Sequence, residues 1–324
     1  MKTAVVMATY DGESYLKEQL ISLRDQEKKA DKVYIWDDCS TDDTVPIIRN
    51  FVTENNLSDY WQLKINENNQ GWMKNFHNAL LQAKEDIIFL CDQDDIWFPE
   101  KIRKMTQVME GNSAINLLAS SYIPYYKTAR KISPKIIATM KYDGKIKKIP
   151  TDEKFHIVLR PGCTYAVRRS FLEAIKDVWV NDIAHDMNIW TIALLRNEAY
   201  FFDEALIKWR RYDNSSSSPL RDLEQKGSAK RLYNLSIEET KKRIFYYNIV
   251  LEYCKKNPRF FSEKSYKYLI TELSRCHHIL SAFKEKSIKK LFCTYIKFKS
   301  SYLSIRTLCS DICIIINSII KTQK

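Results

Sequence analysis

The sequence predicts an α/β domain built on a parallel sheet, continued by a mostly helical, basic C-terminal region. Three observations predict it. Short β-rich runs alternate with helical stretches through the first 110 residues, three of those runs end in polar and acidic clusters, and the positive charge is concentrated at the far end of the chain.

The runs 3–8 "TAVVMA", 32–37 "KVYIWD", 60–65 "YWQLKI" and 86–91 "DIIFLC" are rich in β-branched and aromatic residues. Between them, 13–27, 42–55 and 72–84 place apolar residues three and four apart, the period of a helix with one buried face. Four strands joined by three helices imply right-handed crossovers and a parallel sheet. In such sheets ligands sit beyond the carboxyl ends of the strands. Here those ends read "TYDGE", "DDCSTDD" and "DQDD", so the pattern predicts one cleft lined by carboxylates from separate strands. Further on, 115–126 reads as another strand and 127–154 as a basic, loop-rich excursion. "RPGCTYAVRRSFLEAI" reads as a turn and strand entering a helix, "AHDMNIWTIALLR" as a helix opening on an acid, and "YFFDEALIKWRRYD" as strand. "NSSSS" at 214–218 reads as a flexible break before a helical remainder.

A chain of 324 residues with 45% hydrophobic content supports a real core and excludes wholesale disorder. Residues 221–324 hold 22 Lys and Arg against 9 Asp and Glu, a surplus of +13, which leaves the first 220 near neutral. A basic tail suits either a solvated helical surface or an anionic partner. Without an RNA- or DNA-binding motif, nucleic acid is not expected. Eight scattered cysteines without CxxC pairs, most in apolar contexts, predict reduced and mostly buried thiols. The initial run "AVVMA" is too short for a signal peptide, so a cytoplasmic catalytic part is expected.

In "FLCDQDDIWFPEK" three aspartates stand close enough to repel one another unless a cation sits among them. Asp92 and Asp94, two apart, point the same way in an extended segment. Such hard oxygen ligands suit Mg²⁺ or Mn²⁺. Asp37 is expected at the tip of its strand, placed to accept a nucleobase N–H, while Ser40, Thr41 or Asp42 suits the N-cap before "TVPIIRNF". Gly71, Lys74 and Asn75 in "NNQGWMKNF" read either as a plain turn and helix start or as a phosphate seat at a helix N-terminus.

The segments "MATYDGESYLKEQLISLRDQ", "WDDCSTDDT", "NNQGWMKNF" and "FLCDQDDIWFPEK", in this order and at these spacings, resemble glycosyltransferase family 2, whose members have the GT-A fold. The form "DQDDIW" with "NF" at 75 and 76 is similar to the rhamnosyltransferase-like branch that builds bacterial cell-wall and capsular polysaccharides. The resemblance implies an inverting, Mn²⁺- or Mg²⁺-dependent hexosyl transfer from dTDP-rhamnose or a UDP-hexose to a lipid-linked or other glycan acceptor. It implies a Rossmann-like mixed sheet with helices on both sides. Carried over by residue, Thr9 and Tyr10 line the nucleotide pocket, Asp37 holds the base, Asp92 meets the ribose or donor and Asp94 ligates the metal. Asp95 braces the loop or touches the donor sugar. Asp186 matches the position of the general base, with Asp182 as its rival, and His185 beside it is expected to pack rather than ligate metal. Arg210 and Arg211 are expected at the diphosphate, although Tyr212 stands where relatives carry His.

These readings divide the chain into a GT-A domain over 1–218, with a nucleotide half (1–110) and an acceptor half (111–218), and a helical region over 219–324. In that region basic residues interleave with aromatic and aliphatic ones, and 302–320 is apolar but interrupted by Arg306 and Asp311. That pattern favours an interfacial helix or an oligomer contact over a membrane span. A peripheral enzyme on the anionic inner face of the cell membrane is therefore expected. A catalytically idle scaffold of the same fold, binding membrane or partner through the tail, is the alternative.

Overall fold

The computed structural model describes residues 1–126, 142–211, 229–299 and 305–320. Strands β1 (Thr3–Thr9), β2 (Lys32–Asp37), β3 (Trp61–Ile65) and β4 (Ile87–Asp92) run parallel in the order β3-β2-β1-β4. Their crossovers are α1 (Glu13–Arg24), α2 (Thr44–Glu54) and α3 (Trp72–Gln82). β1 and β4 carry near-continuous apolar runs because both faces of the sheet are covered. α1 stops at Arg24, short of the expected 27, because Gln26 is drawn into other bonds. Its side-chain amide donates to the Ser22 and Phe98 carbonyls and accepts from the Ile102 N–H.

Beyond β4 the sheet turns mixed. β5 (Ile96–Trp97) leads into α4 (Lys101–Gly111), followed by β6 (Leu117–Tyr126), β7 (Ile146–Lys148), β8 (Tyr165–Arg168), α5 (Arg169–Ile175), α6 (His185–Leu195) and β9 (Ala199–Arg211). β8 inserts antiparallel between β4 and β6, and β9 lies parallel to β6 while β5 and β7 pair antiparallel with it. The full order is β3-β2-β1-β4-β8-β6-β9-β5. The parallel arrangement read from the alternation therefore holds for the first half only. It fails where a strand such as β8 is four residues long and enters through a turn instead of a crossover helix.

One face of the sheet offers Val5, Met7, Val33, Ile35, Ile87, Phe89 and Cys91, alternate residues of three strands, to a single buried cluster. α1 meets it with Leu16, Leu20 and Leu23 at helical spacing, α2 with Ile48 and Phe51, and α4 with Ile102, Met105 and Met109. α3 packs against β1 and β2 through a face that buries Phe76, Ala79 and Leu80.

The chain separates into two compact units, the first comprising Met1–Ile149, Val158–Ala193 and Glu198–Tyr212. The second contains α7 (Ala229–Lys256), α8 (Glu263–Lys284), α9 (Ile288–Lys297) and α10 (Ile305–Ile320), together with Pro150–Ile157 and Leu194–Asn197 from earlier in the chain. Its apolar cluster joins Ile279, Ala282 and Phe283 of α8 to Leu291, Phe298, Leu308 and Ile315. Ser262 and Ser287 cap α8 and α9 by accepting the Ser265 and Lys290 N–H groups. Glu272 and Arg275 form a buried two-bond pair at 2.6 and 2.5 Å, with His156 Nδ1 3.6 Å from the carboxylate. No helix among the described residues is long and apolar enough to cross a membrane. Cys91, Cys163, Cys254 and Cys276 are buried free thiols, as expected, but Cys293, Cys309 and Cys313 are exposed. Their apolar neighbours misled because an amphipathic helix turns adjacent residues to different faces.

The loops at the carboxyl ends of β1, β2 and β4 are tied together. Between the first two, Asp11 N–H donates to Ser40 Oγ, Thr41 N–H to the Asp11 carboxylate, and Gly12 N–H to Thr44 Oγ1. Glu13 and Asp43 complete the seam, the Glu13 N–H donating to Asp42 and the Asp43 N–H to Glu13. Asp42, one of the expected capping residues, also accepts the Thr44 N–H at the start of α2. Toward β4, the Gln93 amide accepts from the Tyr10 N–H at 2.8 Å and donates to its carbonyl at 2.9 Å. Gly12 makes room for it, since a Cβ there would lie 2.5 Å from Gln93 Cδ. Gly12→Ala should therefore lower stability by about 1–3 kcal/mol in urea unfolding, the worth of the displaced bonds. Gln93→Ala placed on that background should cost little more, and full additivity in the double-mutant cycle would show that the clash is elsewhere.

Candidate active site

Strand register brings the acidic ends to one level. Thr9 lies opposite Asp37, and Ala8 opposite Asp92. Asp37 is fully buried, and its carboxylate accepts from Thr9 Oγ1 at 2.9 Å, Ser40 Oγ at 2.6 Å and the Ser40 N–H at 2.8 Å. It therefore does not project at the tip of its strand as expected. Thr9 and Ser40 hold it inside the rim, where it braces the loop beneath the exposed Tyr10.

The segment around Gly71 is likewise occupied from within. Asp38, which the sequence reading passed over, accepts the Gln70 and Gly71 N–H groups and the Asn66 amide, each at 2.8 Å. Gly71 has φ +85°, a conformation that favours glycine. The buried Asn75 donates to the Trp36 carbonyl and accepts from Asn66, both at 2.8 Å. Thus neither the Gly71 N–H nor the Asn75 amide is presented to a phosphate, and only Lys74 of the three is exposed. The signal for Asp38 lay in "WDD": a second acid after a strand end can collect the N–H groups of a neighbouring turn.

The "DQDD" loop is held from beneath and from the side. Arg210, 2% exposed, donates its backbone N–H to Asp95 Oδ1 at 2.8 Å and its Nε–H to the Asp94 carbonyl at 2.5 Å. Its Nη2 reaches Glu18 at 3.0 Å, and the guanidinium lies over the rings of Tyr15 and Tyr125. Arg210 is thus a buried clamp on the loop, with its Nη1 left without a hydrogen-bond partner. Arg211 is half-buried and stacks on Trp209. Tyr212 and the serine run fall outside the described residues.

Lys101 and Cys163 enter from elements that the sequence reading did not connect to the site. The fully buried Lys101 ammonium donates to the Cys163 carbonyl at 2.8 Å and sits over the Trp97 ring. Burial lowers it to about 8, against the pull of Cys163, Cys91 and the aspartates. One ligand atom each from Asp92, Asp95 and Cys163 lies within 4.8 Å of the others. Burial, then the charges of Asp95 and Asp92, pushes the Cys163 thiol well above its usual range, so it stays protonated. Burial first, then Asp94 and Asp186, pushes the Asp92 carboxyl up to about 7. Asp95 is pushed well above the carboxylate range by burial and by Asp94 and Asp92, and its Oδ2 is buried without a hydrogen-bond partner.

Asp186 joins this group from the first turn of α6, where its Oδ1 accepts the Met187 N–H at 2.8 Å. His185 beside it is buried and stacked on Phe76 with centroids 3.9 Å apart, the packing role expected of it. Burial lowers its pKa, which keeps the ring neutral near pH 7. Gly162 permits the approach, since a Cβ there would lie 2.7 Å from His185 Nε2 and 3.2 Å from Asp186 Cβ. The "PGC" turn is thus the wedge between the "DQDD" loop and α6. The rival base Asp182 is exposed.

Asp92, Asp94, Asp95 and Asp186 together outweigh the buried ammonium of Lys101, and the partnerless Asp95 Oδ2 adds an unsatisfied acceptor. Carboxylate oxygens in excess of local positive charge fit a hard divalent cation. The protonated Cys163 is the one soft member of the group.

Residues 4–176 match the family described as Glycosyl transferase family 2. The chain is 29% identical over 222 residues to the dTDP-rhamnosyl transferase RfbG of Shigella flexneri, covering 64% of this chain and 72% of that protein. It is 37% identical over 97 residues to the poly(ribitol-phosphate) beta-N-acetylglucosaminyltransferase TarS of Staphylococcus aureus, 29% of this chain and 16% of that protein. Among solved structures, S. aureus TarS 1–349 in complex with UDP-GlcNAc aligns at TM-score 0.58 and 15% identity, covering 94% of this chain and 93% of that one. The mannosyltransferase PcManGT from Pyrobaculum calidifontis, in complex with GDP-Man and Mn²⁺, aligns at TM-score 0.53 and 14% identity over 99% of this chain and 86% of that one. These structural likenesses establish a GT-A-like fold.

The raised Asp92 pKa has a stability consequence. With the folded value near 7 and the unfolded value near 3.8, folding favours the protonated carboxyl. Its contribution is full below the unfolded value and is lost as pH rises through 7. In EDTA at pH 8, Asp92→Asn should therefore be more stable than wild type by about 1–2 kcal/mol, with part of the shift discounted for the exposure of the group. The two should converge near pH 4. Urea unfolding at both pH values checks this, and an equal offset at both would remove the titration as its cause.

Proposed function

This chain belongs to glycosyl transferase family 2, and from that premise we propose that it transfers a hexosyl group from a nucleotide-sugar to a glycan acceptor with inversion at the anomeric carbon. The observation that carries the reading is the convergence of Asp186 with the "DQDD" aspartates across one turn, in which a Cβ at Gly162 would lie 3.2 Å from Asp186 Cβ while the neighbouring Cys163 stands with Asp92 and Asp95. An inverting transfer needs a carboxylate that takes the acceptor hydroxyl proton while the acceptor oxygen bonds to the anomeric carbon and the bond to the diphosphate breaks. Asp186, at the rim of the acidic group and on a rigid first turn, suits that base.

Asp94, with Asp92 and Asp95 whose ligand atoms stand together, forms the carboxylate set we assign to a Mn²⁺ or Mg²⁺ ion. Such an ion supplies neutralisation of the charge that grows on the leaving diphosphate. We assign the exposed Tyr10 to line the nucleotide, with Lys74 and Arg211 as the cationic groups nearest to solvent, while the buried Thr9 acts through its bond to Asp37. Asp37, Gly71, Asn75, Asp95 and Arg210 act beneath them by holding the loops still. The relatives support dTDP-rhamnose or a UDP-hexose as donor, because the names they carry include a dTDP-rhamnosyl transferase and an N-acetylglucosaminyltransferase. We assign transfer to 1–218 and docking to the basic helical region 219–324, which would hold the enzyme at an anionic membrane carrying its acceptor.

A panel of dTDP-rhamnose and UDP-hexoses with Mn²⁺ or Mg²⁺, read by release of nucleoside diphosphate, tests this. Asp186→Asn should lower kcat by roughly 10²–10⁴-fold with little change in donor KM, the size of a lost general base. Asp94→Asn should weaken Mn²⁺ binding measured calorimetrically, and EDTA should stop turnover. Turnover indifferent to EDTA and to both substitutions would overturn the mechanism.

A further inference from the structure

α9 carries more apolar surface than its own core uses. Leu291 and Thr294 face inward and are buried, as is Phe298 just beyond the helix. Ile288, Phe292 and Ile296, each four residues on from the last, form an adjacent stripe exposed to 36%, 51% and 61%. At about 100° per residue, that stripe occupies the sector next to the buried one. The following sector carries Lys289, Lys290 and Lys297, all exposed, with Lys290 paired to Glu285 at 2.5 Å. A helix of ten residues is thus divided lengthwise into a face for its own fold, an uncovered apolar face and a basic border.

Single exposed hydrophobic residues are ordinary on protein surfaces. Three in line with a phenylalanine at the centre, bordered by lysines, make the pattern of a helix lying in a membrane interface. The charge of the region points to the same occupant, since residues 221–324 carry 22 Lys and Arg against 9 Asp and Glu. An antiparallel two-fold pairing of this stripe with a second copy would set lysine borders against each other, which like charge disfavours. An anionic lipid surface has the opposite requirement on both counts.

We propose that α9 is a membrane-contact helix, lying in the plane of an anionic bilayer with Ile288, Phe292 and Ile296 among the acyl chains and Lys289, Lys290 and Lys297 at the phosphates. This deepens the docking role assigned to the C-terminal region, and it is independent of the transfer chemistry. At ten residues α9 is about 15 Å long, half the thickness of a hydrocarbon core, so a contact by this helix is lateral.

The test uses the full chain in sedimentation with vesicles of equal parts phosphatidylglycerol and phosphatidylcholine, and with phosphatidylcholine alone. Wild type should bind the anionic vesicles and lose most of that binding in high salt. Phe292→Ser with Ile296→Ser should weaken partitioning about tenfold at an unchanged melting temperature, as loss of inserted apolar surface requires. Lys289→Gln with Lys290→Gln should weaken it on anionic vesicles and leave any residual binding to phosphatidylcholine unchanged. Wild-type binding that survives both double substitutions would overturn the assignment to α9 while leaving a membrane-docking region in place. A wild type that ignores both vesicles would overturn both readings. If the Phe292 and Ile296 substitutions instead turn a multimer into a monomer by light scattering, the stripe belongs to a second copy and the proposal falls.

Discussion

Four carboxylates gathered at one end of a sheet repel one another, and much of the first unit is arranged to hold them there. Asp92, Asp94 and Asp95 cannot spread apart because β9 pins their loop, through the Arg210 N–H on Asp95 and the guanidinium on the Asp94 carbonyl. Asp186 is kept in place by α6, which approaches closely only because residue 162 lacks a side chain. The one fully buried ammonium among them, Lys101, is spent partly on the Cys163 carbonyl. The residual negative charge appears in the raised pKa values of Asp92 and Asp95. Groups perturbed in this way cluster at functional sites, and an excess of carboxylates fits a cation.

Residue type alone separates ligands from braces poorly in this molecule. Asp37, Asp38 and Asn75 all have the chemistry of a substrate contact, yet each spends its polar atoms on neighbouring loops. Rigid placement of the groups left at the surface is the return. A transfer reaction needs its base and its leaving-group partners held within a fraction of an ångström, and buried hydrogen bonds between loops that are distant in sequence supply that stiffness.

The second unit follows a different logic. Its helices bury one stripe each around Phe283, Leu291 and Ile315, and its buried Glu272–Arg275 pair is satisfied internally. Among the described residues most of its Lys and Arg are exposed, Arg275 being the buried exception. Packing therefore explains the inner half of α9, while Ile288, Phe292 and Ile296 stay outside that core.

Much of this was legible in the sequence. The four parallel strands, their helices and the acidic strand ends follow from periodicity and from motifs in register, because both are local properties of the chain, while the candidacy of Asp186 comes from the family resemblance. Strand β8, the clamp by Arg210, the wedge at Gly162, the seat of Gln93 against Gly12 and the capture of Gly71 by Asp38 were decided by tertiary structure. Each depends on contacts between residues tens of positions apart, and in the clamp 115 or more, where no local period carries a signal. Sequence by itself determined which chemical groups were available and on which strand ends they stood. Only the folded chain decided which of them face solvent and which are consumed in holding the rest, since burial and hydrogen-bond partnership are properties of the packed whole.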